Sequence, residues 1–154
     1  MDTEFRFRPL RPLAALPPLA ARIAVSVVFI VSGWGKLHDL RSVVDFFRRL
    51  GIPAPELQAP FVATVELVGG ALVLVGFGAR LASLFLMATM AVAIATAIWP
   101  DTTGVVDLLG RVEVLYLVLF AWIAVAGPGA ISVEAILARR RLARPLTPAP
   151  AAAG

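Results

Sequence analysis

The sequence predicts an all-α fold: an integral membrane bundle of four transmembrane helices, with an amphipathic interfacial helix between spans one and two. Two observations carry that prediction. The 154 residues are 60% hydrophobic and 16% charged, against about 25% charged in an ordinary soluble domain. A soluble domain of this size leaves too much surface wet to hide so many apolar side chains. The apolar residues also gather into four runs, about 19 to 37, 61 to 77, 81 to 99 and 108 to 126. At about 1.5 Å per residue each run, as a helix, is close to the thickness of a hydrocarbon core. Helices satisfy their own backbone in lipid, and the alternating segments of about ten residues that a membrane barrel needs are absent.

Residues 1–18 form a basic arm with Arg6, Arg8 and Arg11, closed by Pro17-Pro18, a pair suited to opening a helix. A signal peptide is disfavoured, because the next apolar run is too long and ends in Trp34-Gly35-Lys36 without a cleavage pattern. The transmembrane domain is expected over residues 19–137. After span one, Leu37, Leu40, Val43, Val44, Phe47 and Leu50 recur at helical spacing with Asp39, Arg41, Asp45 and Arg48 between them. That pattern predicts the amphipathic helix, ended by Gly51-Ile52-Pro53. Span four is interrupted early by Arg111 and Glu113, so a three-span reading stands beside the four-span one. Gly127-Pro128-Gly129 reads as a turn, with Ser132 as an N-cap and Glu134 in the first turn of a further helix. Residues 138–154 read as a basic, then Pro/Ala-rich, disordered tail.

Counting cations sets the expected orientation. With the N-terminus inside, that side carries Arg6, Arg8, Arg11, Arg22, Arg80, Arg139, Arg140, Arg141 and Arg144; the other carries Lys36, Arg41, Arg48, Arg49 and Arg111. The excess favours both termini inside, with Trp34 and Trp99 at the outer interface. The same placement explains the net charge of +4 by topology, so the partner is membrane lipid and no nucleic acid is expected.

An ionisable group within a span costs about 2.5 to 3.5 kcal/mol at its centre, which makes each one a candidate site. Glu66 lies about five rises, roughly 7 Å, inside the outer boundary of span two. Lys36, Arg111 and Glu113 fall near the same depth. Two acids and two bases at one level predict a nearly neutral cluster lining a pocket that opens outward. The competing reading is that these charges form ion pairs that fix helix register and do nothing more. Arg22 and Arg80, near the inner ends of spans one and three, read as snorkelling to lipid phosphates. His38, the single histidine, suits an interfacial or hydrogen-bonding role better than a metal, and no metal site is expected. With no cysteine, a thiol relay, a thiolate nucleophile and cysteine-ligated metal centres are excluded. The common nucleotide, zinc and acyl-transfer motifs are absent.

Arg22, Ser32-Gly33-Trp34-Gly35-Lys36, Gly51-Ile52-Pro53, Glu66-Leu67-Val68-Gly69-Gly70, Gly76-Phe77-Gly78-Ala79-Arg80 and Gly127-Pro128-Gly129-Ala130-Ile131-Ser132-Val133-Glu134 together resemble the DoxX family, across about residues 20 to 137. Val133-Glu134 stands where that family usually has Leu-Asp. The resemblance implies a small four-helix protein of bacterial inner membranes, often labelled an oxidoreductase, with a related branch tied to thiosulfate oxidation and quinone. It marks Arg22, Gly33, Lys36, Glu66, Gly70, Gly76, Arg80, Gly129, Ser132 and Glu134 as motif positions and names no catalytic residue. The reading it favours is a quinone-linked or redox-complex membrane subunit, with Glu66 and Lys36 at the head group and a redox complex or a second copy as partner. A small-molecule or proton-coupled transporter and a non-catalytic membrane scaffold are the alternatives.

Overall fold

The structure, a computed structural model, describes residues 15–142. Most of the expected basic arm and the Pro/Ala-rich end of the tail lie outside the described residues. Seven helices follow in order: α1 Leu16–His38, α2 Leu40–Arg49, α3 Pro55–Val75, α4 Ala79–Ala93, α5 Val105–Leu109, α6 Val112–Ala126 and α7 Val133–Leu142. α4 runs on through a π-helical turn at Ile94–Ile98 and a 3₁₀ turn at Trp99–Asp101.

Three of these helices, α1, α3 and α4 with its extension, are long and apolar enough to cross a membrane, and α6 is a shorter apolar helix. Among the described residues no strand occurs. Around the bundle the order is α1, α3, α4, α6, each packed on the next. The core gathers Val25, Phe29, Val73, Leu86, Phe120 and Ile123, while Val31, Leu81, Val118 and Val125 are exposed on the outside. Such an apolar exterior suits hydrocarbon and not water. The molecule is an integral membrane helical bundle.

Small residues set the packing. A Cβ on Gly33 would lie 2.4 Å from the Leu67 backbone nitrogen and 2.7 Å from the Ala63 carbonyl oxygen. α1 and α3 therefore approach backbone to backbone, as small residues permit in membranes. One turn and more along, Gly70 faces Ile30 and Ser26 in the same seam, and Gly69 receives the Leu86 side chain from α4. On the other flank of α1, Phe29 meets Tyr116 and Phe120 of α6 edge to face, with ring centroids 5.4 and 4.9 Å apart.

Three boundaries differ from the expectation. The tail expected to be disordered from 138 instead continues α7 as helix through Leu142, with Arg139, Arg140 and Arg141 in its last turn. The helix expected over 37 to 50 is broken at Asp39, whose backbone turns out of the helical region and whose carboxylate accepts the Ser42 N–H at 3.3 Å. Asp39 thus caps α2, so Leu37 and His38 complete α1. The apolar run at 108 to 126 is split at Gly110 and Arg111, where Arg111 is extended at φ −78° and ψ 137°. α6 is left with 15 residues, about 22 Å of helix.

α2 lays its apolar side on the bundle, where Phe47 packs with Ile52 and Ala59. Its polar side carries Arg48, which pairs with Asp45 at 2.6 Å and Glu56 at 2.7 Å. At the opposite end of the bundle, Gly76 and Gly78 take left-handed backbone in the α3–α4 turn.

Candidate functional site

The side chains that carry charge into the bundle fall at its two ends. At the Lys36 end, Ser32 and Lys36 are one turn apart on α1, which sets both toward the same face. The close α1–α3 approach at Gly33 brings that face onto Glu66. Lys36 Nζ makes an ion pair with Glu66 Oε1, and Ser32 Oγ donates to Oε2 at 2.9 Å. Glu66 is 2% exposed and the Lys36 side chain 30%, so the carboxylate is buried while the ammonium reaches the wall of a cavity. Both carboxylate oxygens are satisfied, which makes a buried charge tolerable.

That cavity has a volume of about 570 Å³, within the range of ligand pockets. Its charged lining groups are Lys36, Glu66 and, from α6, Glu113, accompanied by Ser32 and Tyr116. The rest of the lining is largely apolar, from Phe29, Val65, Phe85 and Met90 among others, with Ser42, Gln58, Thr89 and Thr96 as further polar side chains. Of the four residues expected in one cluster, Lys36, Glu66 and Glu113 line this cavity. Arg111 does not: at the N-terminal edge of α6 it turns toward Asp107 of α5, at 3.4 Å. The pocket is expected to open outward; at that end α2 contributes Ser42, Val43, Phe46, Phe47 and Leu50 to the lining, and of these Ser42 and Phe46 are exposed.

Tyr116 escaped the sequence reading, although it is the single tyrosine of the chain and follows Glu113 by three residues. That i, i+3 spacing puts both on one helix face and was the available signal. His38 stays exposed and outside the cavity, its Nδ1 within 2.9 Å of the Trp34 carbonyl.

The remaining motif positions meet at the other end. Arg22 was expected to snorkel to lipid. It is instead 4% exposed, and its guanidinium donates to the carbonyl oxygens of Pro128 and, at 2.6 Å, Ile131. The reason is the loop after α6, whose left-handed Gly127 and Gly129 turn carbonyls inward where only a multidentate donor can satisfy them. Ser132 Oγ donates to the Gly129 carbonyl at 2.8 Å and accepts from the Ala135 N–H at 3.1 Å, capping α7. Glu134 reaches across to the next helix: its Oε1 accepts the Ala79 N–H at 3.3 Å, and its own N–H donates to the Gly76 carbonyl at 3.1 Å. Gly76 has no room for a side chain, since a Cβ there would lie 2.5 Å from the Ser132 Cβ. Arg80 is exposed beside Gly127. This end is a clasp that ties α1, the α3–α4 turn and α7 together.

Among the described residues no cluster of three or more His, Asp or Glu could hold a metal ion. A helical membrane bundle with a buried, neutralised carboxylate on the wall of a largely apolar cavity defines a class of small polytopic membrane protein. Within that class a family model for DoxX matches residues 18–99, and the chain belongs to the DoxX family. It is 34% identical to the inner membrane protein YphA of Escherichia coli (strain K12) over 137 residues, 84% of this chain and 94% of that one. Identity to the inner membrane protein YqjF of the same organism is 28% over 134 residues, 85% of this chain and 99% of that one. A shorter match, 31% identical over 78 residues, covers 51% of this chain and 57% of "Putative oxidoreductase CatD" of Bacillus subtilis (strain 168). No solved structure matches the chain.

Proposed function

We propose that this protein is an inner-membrane subunit that binds a quinone-type head group at the Lys36 end of its cavity, serving a redox partner in the membrane. The observation that carries this reading is the buried Glu66, neutralised by Lys36, lining a largely apolar cavity of about 570 Å³. Two similar proteins bear inner-membrane names and a third an oxidoreductase name, which agrees with it. The cation count supports an orientation with both termini inside and the Lys36 end outward.

The residues fit such a head group. A bound quinone would supply two-electron, two-proton chemistry at its carbonyl oxygens. An ammonium has three donors, and Glu66 takes one from Lys36, which leaves two for a carbonyl oxygen. Glu66 holds that ammonium charged and aimed, and Ser32 fixes the carboxylate's second oxygen. Glu113 and Tyr116 of α6 also line the cavity and would hold or pass a proton at the head group. Electrons would come from the partner, because the chain has no cysteine for a thiol relay.

The test is decylubiquinone binding to the full chain in mild detergent, read as a difference spectrum. A saturable signal is expected, with affinity weakened about tenfold in Lys36→Met through loss of a charge-assisted hydrogen bond. The reading is overturned by the absence of saturable binding, or by unchanged affinity in Lys36→Met.

A further inference from the structure

We propose that the cavity is filled sideways from the lipid, through a mouth between α3 and α4, by an amphiphile whose aliphatic tail stays in that mouth. The inference rests on reading the cavity as a ligand site, and it specifies the class of ligand: a hydrogen-bonding head on an aliphatic tail.

At the Lys36 end α2 covers the cavity with Phe47 buried against Ile52 and Ala59, while its Ser42 and Phe46 line the cavity and are exposed, which leaves a second way in there. Toward the opposite end α3 and α4 close on each other where Leu86 fills the space over Gly69. Between these two ends the facing residues of both helices line the cavity: Phe61, Val62 and Val65 from α3, and Thr89, Val92 and, from the extension of α4, Thr96.

A side chain that lines a cavity and is also exposed marks its mouth. On α4 those residues are Phe85, Ala88 and Val92, a stripe at i, i+3 and i+7 along one face. Phe61 faces the stripe from α3 and is itself 58% exposed. All four are apolar, so the mouth is a hydrocarbon surface and not a water path. From Phe85 to Thr96 the lining runs eleven rises, about 16 Å along α4; Glu66, one turn from the Gly69 that meets Leu86, lies part-way along it, with Phe85 on the inner side. That placement matches an amphiphile with its head at Lys36 and its tail toward Phe85.

The opposite flank has fewer exposed lining residues. α1 turns Ser26, Ile30 and Gly33 to α3 and Phe29 to α6. Val28, 100° round from Phe29 on the α6 side, is the one exposed lining residue that α1 provides.

The native sequence has no cysteine, so a single thiol at the buried, cavity-lining position Met90 reports access. The full chain with Met90→Cys is placed in lipid nanodiscs and labelled with N-(1-pyrenyl)maleimide, which partitions into lipid, or with a charged methanethiosulfonate, which stays in water. The pyrene reagent is expected to react faster. Adding Ala88→Trp, or independently Val92→Trp, should slow it about tenfold by narrowing the gate, and Val28→Trp should leave the rate unchanged. The proposal is overturned if the aqueous reagent reacts at least as fast, if neither α4 substitution slows labelling, or if Val28→Trp slows it as much. No quinone enters this experiment, so its failure and a failure of decylubiquinone binding are distinct results.

Discussion

Glu66 is where a single side chain decides most. It is buried in a helix surrounded by hydrocarbon, and only Lys36 and Ser32 make its charge tolerable. Breaking a buried pair from one side costs about 3 to 5 kcal/mol, and the partial exposure of Lys36 puts Glu66→Gln at the lower end of that range. The double change Glu66→Gln with Lys36→Met removes both charges and should restore part of the lost thermal stability. The cycle is read by thermal unfolding in detergent, and single losses that add within about 0.5 kcal/mol would show that the two groups are not coupled. If the recovered double variant still fails to bind decylubiquinone, the pair serves the ligand as well as the fold. Arg22 makes a complementary point at the other end. Its hydrogen bonds go to backbone carbonyls of a distant loop, contacts that no pattern of side chains along the chain announces.

Among elements, the α1–α3 seam carries the tightest constraint. At Gly33 the obstructing atoms are the backbone of Leu67 and Ala63, which cannot swing away as a flexible side chain does. Gly33→Ala must therefore push α1 from α3, a loss of about 1 to 3 kcal/mol or more. Because the same seam delivers Ser32 and Lys36 to Glu66, the substitution should also weaken decylubiquinone binding without touching a polar group. Both effects are checked by thermal unfolding and by the difference spectrum. Unchanged stability would mean that the helices meet less closely than the structure shows. α4 bears on the same cavity differently. Its π-helical turn precedes Pro100, a residue with no N–H to continue the helix, and from that turn Thr96 and Ala97 enter the lining.

For the molecule as a whole, the excess of arginines at the Arg22 end predicts its side of the membrane. A single cysteine replacing Pro53, in the loop between α2 and α3, should be labelled by an impermeant thiol reagent in intact bacterial cells. One replacing Ala138, on the exposed surface of α7, should not. The reverse pattern would invert the orientation, and labelling at both would require an odd number of crossings. The clasp of Arg22, Glu134 and the Gly127–Ser132 loop joins the far end of the bundle, so the two ends divide their work: one is tied down, the other encloses the cavity.

The amino-acid sequence alone determined the solvent of this protein, its all-helical class and the residues worth watching. The reason is that hydrocarbon leaves a run of apolar residues one way to satisfy its backbone and makes each charge within it conspicuous. The amphipathic α2 was legible for the same kind of reason, from periodicity. The break at Asp39 and the split at Gly110 and Arg111 were not, since the apolar spacing continues across both and local capping and backbone geometry decide them. Tertiary structure alone decided that Lys36, Ser32 and Glu66 meet while Arg111 turns away to Asp107. Depth along a helix can be counted from the chain, but azimuth depends on which face packs against a neighbour, and here that was set by three glycines, Gly33, Gly69 and Gly70. The same packing buried Arg22 beneath a loop more than a hundred residues away and laid α2 across the cavity, placements that exist only once the helices have closed.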